Sequence, residues 1–190
     1  GLHVVVGHPE GGGVRTRSVA VTRRHNRASV LCEGKVVCAY DKRELPNYQV
    51  FDERRYFTPG NGVGVFEVEG VRVGLLICED AWFDEPARLA RDAGAQVLAV
   101  LNASPFHAGK GPEREQRMRE RVADSGLPLI YAHLVGGQDE VIFEGRSFAL
   151  NAQGETVARA EGFREADLAV QAAVGPNGVT LTAAADALVP

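Results

Sequence analysis

Cys78 closes an apolar run, Leu75-Leu76-Ile77, and is followed at once by Glu79-Asp80-Ala81-Trp82. A strand that delivers a thiol to a sharp turn, with acidic and small residues opening a helix behind it, sets the sulfur near the positive end of a helix dipole. That setting favours the thiolate. A lone cysteine in an apolar strand is otherwise a structural core residue, so the neighbourhood has to decide. Lys42 follows the apolar segment 28–40 and precedes a rigid Leu45-Pro46-Asn47 turn, which holds its ammonium in one place. A fixed cation beside a nucleophilic thiol can stabilise the oxyanion of a tetrahedral intermediate. The stretch 40–60, YDKRELPNYQVFDERRYFTPG, is too dense in charge and aromatic groups for a plain connector and is expected to be a functional loop.

Other chemistries find less support. His3, His8, His25, His107 and His133 are scattered without metal-ligand spacing, so no metal site is expected. His107 or His133 could pair with Cys78 as in thiol proteases, but each lies in a segment explained otherwise. Cys32 and Cys38 read as structural. Gly11-Gly12-Gly13 lacks the hydroxyls and the following helix of a phosphate loop and reads as a flexible turn.

The reactive residues need a scaffold. Apolar runs at 3–7, 71–78, 96–102 and 127–135 read as buried strands. Helices are expected over 84–94, with Asp84 as N-cap and Gly94 as the stop, and over 112–125, opening at Pro112 and ending at Gly126. Strand, helix, strand, helix, strand from 71 to 135 is an α/β arrangement in which strand ends carry the reactive groups, and Cys78 and Ser104 both fall at such ends. Segments 28–40, 63–69 and 141–160 look like hairpins, which makes the sheet mixed. Residues 171–190, Ala-rich and without aromatic side chains, are expected to be a loose tail.

At 190 residues with a net charge of -4, the chain is a plausible single domain with no polybasic footprint for nucleic acid. A small-molecule partner is expected. Three cysteines and no apolar leader argue against a disulfide framework or a signal peptide, and no run approaches the length of a membrane span, so a cytoplasmic location is expected.

Four motifs in order, KRELPNYQVFDERRYF from Lys42, CEDAW from Cys78, NASPFHAGK at 102–110 and GGQDEVIFEGRSF at 136–148, resemble the glutaminase domain of glutamine-dependent NAD synthetases, within the nitrilase or carbon-nitrogen hydrolase superfamily. The resemblance covers roughly residues 1–170. It implies an αββα sandwich and a Glu-Lys-Cys triad, with Cys78 as nucleophile and Lys42 as the lysine. Tyr48, Phe51, Glu53 and Glu79 match positions lining the glutamine pocket, and Ser104 and Lys110 match positions that hold the substrate's α-carboxylate. An α-amino acid asks for such groups: a cation and a hydroxyl for its carboxylate, an acid for its ammonium.

In that family the general-base glutamate precedes the strand that begins here, in a Pro-Glu-Leu type motif. Pro9-Glu10 follows that strand instead, so Glu10 is rejected as the base. The chain is therefore expected to lack the first strand and helix of the fold and, taken alone, to be inactive. Residues 171–190 would then begin a linker to an absent synthetase domain, which would bind ATP and deamido-NAD; no cofactor is expected in this part. The expected partners are glutamine, that synthetase domain and further copies of the chain in a homo-oligomer, with no nucleic acid and no membrane. Two other readings stay open: a catalytically incompetent remnant that serves assembly or binding, and a stand-alone amidase for another small amide.

Overall fold

The computed structural model describes the backbone of residues 1–15 and 20–184 and the side chains of residues 1–11 and 24–184. Three antiparallel strands, β1 (His3–Arg15), β2 (Ala20–Cys32) and β3 (Lys35–Asp41), form one sheet in the order β1-β2-β3. The functional loop follows and contains one turn of helix, α1 (Glu53–Tyr56). Then come β4 (Val65–Val68), β5 (Val71–Ile77), a 3-10 turn (Cys78–Trp82), α2 (Asp84–Asp92), β6 (Val97–Asn102), α3 (Lys110–Ser125) and β7 (Leu129–His133). The chain continues through β8 (Val135–Gln138), β9 (Val141–Glu144), β10 (Phe148–Leu150), β11 (Thr156–Arg159), β12 (Val170–Gly175) and β13 (Gly178–Ala183).

The second sheet has six strands in the order β11-β10-β7-β6-β5-β4, parallel across β5-β6-β7 and antiparallel outside them, so it is mixed as the sequence predicts. Its period-2 alternation builds two cores. Leu76, Leu98, Val100 and Leu129 point to one face, where Ala87 and Ala90 of α2 and Met118 and Val122 of α3 cover them. Leu75 and Ile77 point to the other face and pack with Ala28, Val30 and Tyr40 of the three-stranded sheet. The described residues thus give three layers, helices on sheet on sheet, of the four expected. No helix among them is long and apolar enough to cross a membrane.

Several local expectations change. The run 3–7 was expected to be buried on both faces. It instead begins an edge strand, with Val4 43% and Val6 40% exposed. The Gly11-Gly12-Gly13 turn is not a turn: β1 runs on to Arg15, its residues 9–13 pairing with 22–26 of β2, an extended geometry glycine accepts as readily as a turn. Segment 141–160 is not a single hairpin, because β9 pairs back onto β8 while β10 pairs with β11. The expected loose tail forms the hairpin β12-β13, whose Val179 and Leu181 are buried against Val71, Val97 and Ala149 of the six-stranded sheet. Alternation of Val179 and Leu181 with threonines was the missed signal, and burying two such side chains stabilises a hairpin that could not stand alone. Residues 185–190 lie outside the described residues.

Candidate active site

Lys42 sits one residue beyond β3 and is clamped on both sides of its backbone. Its N–H donates to the Asn26 carbonyl at 2.8 Å, and its carbonyl accepts from the Gly60 N–H at 2.8 Å. The second contact requires glycine, since a Cβ at position 60 would stand 2.2 Å from the Asp41 carbonyl oxygen. The ammonium donates to both Glu53 carboxylate oxygens, at 2.7 and 2.9 Å, and the side chain is 1% exposed. A lysine so buried keeps its charge only with a partner.

Cys78 follows β5 directly and begins the 3-10 turn with φ +47, a left-handed conformation that costs a non-glycine residue roughly 1–2 kcal/mol. Asp80 holds the kink. Its buried carboxylate accepts from the Ile77 N–H at 3.0 Å, from the Arg43 and Glu44 N–H groups at 3.0 and 2.8 Å, and from the Tyr40 hydroxyl at 2.9 Å. One aspartate therefore ties the turn that carries the cysteine to the backbone just after the lysine. Asp80 lies within the CEDAW motif, whose residue types alone assign it no role. The signal was an acid two residues beyond a buried strand, which must find several donors there.

The expected helix behind Cys78 is only this short turn; α2 starts at Asp84, with Phe83 as its N-cap, so the dipole argument for an acidic thiol falls away. Burial pushes the Cys78 thiol up to about 11, and the Lys42 charge pulls in the opposite direction. Among the described residues no carboxylate is hydrogen-bonded to the thiol.

Two cavities meet at Cys78. The first, of about 430 Å³, is lined by Tyr48, Phe51, Cys78, Glu79, Ser104 and Lys110 together with Trp82 and Phe106. At one place Tyr48 donates its hydroxyl to Glu79 at 2.7 Å. At another the Lys110 ammonium lies 4.3 Å from the centre of the Trp82 ring. Ser104 is buried in the loop after β6, which is pinned where the Phe106 N–H donates to the Ile142 carbonyl at 2.7 Å. The second cavity, of about 810 Å³, is lined by Lys42, Glu53, Cys78, Asn102 and His133, and Phe51 lines both.

Six of the eight residues singled out in the sequence share the first cavity. Lys42 and Glu53 share the second. Glu53 lines the second cavity, which also reaches Cys78, and there its carboxylate faces the buried Lys42 ammonium. Glu10 lies on β1 with its side chain 41% exposed and lines neither cavity. His107 is exposed, and both ring nitrogens of His133 face backbone carbonyls, those of Gly145 and Ser104. Neither histidine is hydrogen-bonded to Cys78.

Two face-to-face sheets, with a buried cysteine kinked out of a strand end and an ion-paired lysine beside it, define a nitrilase-type sandwich with a cysteine–lysine site. The carbon-nitrogen hydrolase profile matches residues 1–183, and the chain belongs to that family. It is 44% identical over 172 residues to the glutamine-dependent NAD(+) synthetase of Xylella fastidiosa (strain Temecula1 / ATCC 700964), a match covering 90% of this chain and 30% of that protein. The solved glutamine-dependent NAD+ synthetase of Acinetobacter baumannii superposes with a TM-score of 0.75 at 34% identity, over 97% of this chain and 34% of that one. A carbon-nitrogen hydrolase from Helicobacter pylori G27 gives a TM-score of 0.70 at 28% identity, over 84% of this chain and 60% of that one. The chain thus spans about a third of the length of the synthetases it matches.

Proposed function

We propose that this chain hydrolyses the side-chain amide of glutamine to glutamate and ammonia, with Cys78 as nucleophile. The observation that carries the reading is the polarity of the first cavity, where the nucleophile shares one space with an acid, Glu79, and with a cation and hydroxyl, Lys110 and Ser104. An α-amino acid with an amide on its side chain has the complementary pattern. Sulfur attacks the amide carbon and a C–S bond forms. Lys42, ion-paired with Glu53, and backbone N–H groups stabilise the oxyanion. The C–N bond then breaks as the nitrogen takes up a proton, ammonia leaves, and water cleaves the thioester to glutamate.

Among the described residues no carboxylate is hydrogen-bonded to the Cys78 thiol to carry this proton. In the intact protein the ammonia would supply a synthetase domain, which the names of the relatives support; that this domain binds ATP and deamido-NAD, and that the protein is a cytoplasmic homo-oligomer, belong to the same proposal. The rival reading, an incompetent domain kept for assembly, is favoured by the raised thiol and by the lack, among the described residues, of a carboxylate hydrogen-bonded to Cys78. A stand-alone amidase for uncharged amides would not need Glu79 and Lys110 on one cavity.

Ammonia release decides among them. It is measured with glutamine and with propionamide, for the chain, for the chain extended upstream in its gene, and for the extended chain with Cys78→Ala. Cys78-dependent release from glutamine by the extended chain supports the proposal. Preference for propionamide supports the amidase, and no release from either substrate supports the incompetent domain.

A further inference from the structure

The geometry points to Trp82 as a positioning residue for substrate recognition, its indole face fixing the Lys110 ammonium at the distance from Cys78 that an amide-bearing amino acid must span. The inference rests on the reading that Lys110 takes the α-carboxylate.

Lys110 is the first residue of α3, preceded by Gly109 with φ +83, and its four-carbon stem would otherwise sample solvent freely. Two groups restrain it. Glu113 approaches its ammonium at 3.7 Å, an exposed pair that occupies the charge a substrate carboxylate needs. The Trp82 ring acts differently: at 4.3 Å from the ring centre the ammonium is attracted by the π face, which takes up no N–H donor. The cation is held while its donors stay available. The Arg117 guanidinium lies 5.8 Å from the centre of the same ring, so the indole faces a second positive charge as well.

Trp82 also ends the five-residue 3-10 turn that Cys78 begins. The nucleophile, the acid Glu79 and the ring that seats Lys110 are therefore parts of one short element, and Asp80 locks that element to the backbone beyond Lys42. The spacing between sulfur and carboxylate-binding cation is set by this turn rather than by the packing of distant loops. A fixed spacing separates glutamine from asparagine, whose amide stands one methylene closer to its carboxylate. One methylene is worth roughly 10- to 200-fold in a well-fitted pocket.

The test is calorimetric binding of glutamine, asparagine and 4-aminobutanamide, which keeps the amide and ammonium of glutamine but has no carboxylate, to the chain carrying Cys78→Ala. In that background Trp82→Leu is expected to weaken glutamine roughly three- to tenfold, to narrow the preference over asparagine, and to leave 4-aminobutanamide unchanged. Trp82→Phe should restore part of the loss, and Trp82→Leu added to Lys110→Ala should cost nothing further. If Lys110→Ala weakens glutamine while Trp82→Leu does not, the inference is overturned and the functional reading stands. If Lys110→Ala itself has no effect, the carboxylate assignment fails and the inference with it. Equal weakening of 4-aminobutanamide by Trp82→Leu would mean that the ring merely supports the cavity, which also overturns it. Should Trp82→Leu not fold, the single tryptophan of the chain permits replacement by mono-, di- and trifluorotryptophan. Glutamine affinity falling stepwise with fluorination supports the inference, and a flat series overturns it.

Discussion

Lys42 and Glu53 form a two-point ion pair in which the lysine side chain is 1% exposed and the glutamate 19%. The two residues lie in different parts of the chain, Lys42 just beyond β3 and Glu53 the first residue of α1, so the pair fastens the functional loop as well as holding a charge beside Cys78. Removing one partner of a buried pair typically costs about 3–5 kcal/mol because the other charge stays buried. Glu53→Ala is expected near the lower end of that range, since the glutamate borders a cavity, and Glu53→Gln, which still accepts one N–H, is expected to lose less. Urea unfolding at pH 7 measures both. A loss below about 1 kcal/mol for Glu53→Ala would show that Lys42 reaches water or sheds its proton.

The thiol of Cys78 is pushed up to about 11 by burial, with Lys42 acting against the shift. At pH 7 only on the order of one molecule in 10⁴ then carries a thiolate. Iodoacetamide labelling of Cys78, separated from Cys32 and Cys38 by peptide mass spectrometry, is expected to accelerate about tenfold per pH unit from 7 to 10. Lys42→Met should slow it at every pH in that window. A rate that levels off below pH 9 would mean that another group in the chain lowers the thiol pKa.

Asp80 takes four donors, yet its burial pushes the carboxyl up to about 6 from its ordinary 3.8. The folded state then holds this proton more tightly than the unfolded chain. Its stabilising contribution is complete below about pH 4 and declines as the pH rises through about 6. Asp80→Asn should remove that slope from the stability curve, and Asp80→Ala, which orphans buried donors, should cost about 3 kcal/mol or more at pH 7. Thermal unfolding from pH 4 to 8 is the measurement, and parallel curves for wild type and Asp80→Asn would contradict the assignment.

His133 gives the opposite sign. Burial, and then the Arg114 guanidinium, depress its pKa below 6.5, while the carbonyls of Gly145 and Ser104 and the Glu144 carboxylate favour the charged ring. The folded state binds this proton less tightly than the unfolded chain. Stability from this residue is present above pH 6.5 and falls as the pH drops below that value. Because the ring bridges the loops after β6 and β9, acid should loosen Ser104 first. Hydrogen exchange in the segment 103–109 at pH 5.5 and 7.5 tests this, and His133→Gln should abolish the difference.

The amino-acid sequence by itself determined the order of the central elements and singled out Cys78 and Lys42 as a pair. Apolar runs such as 71–78 and 96–102 are local patterns that mark a buried strand, and the four motifs mark the family without any knowledge of distances. It also showed which residues could meet an amino acid, since Tyr48, Glu79, Ser104 and Lys110 differ in charge from the apolar runs around them. Tertiary structure alone decided what those residues touch. Glu53 faces Lys42 rather than the first cavity because the low dielectric around a buried ammonium makes the nearest carboxylate its partner, and nothing local in DERRY announces that. Asp80 became the clamp between two distant backbone segments because a buried acid collects whatever donors the fold brings to it. The hairpin at 170–183 orders because Val179 and Leu181 find apolar partners, Val71, Val97 and Ala149, that lie roughly 30 to 110 residues earlier in the chain. Hydrophobic period is written along the chain, whereas charge pairing and the docking of marginal segments depend on which surfaces the fold sets face to face.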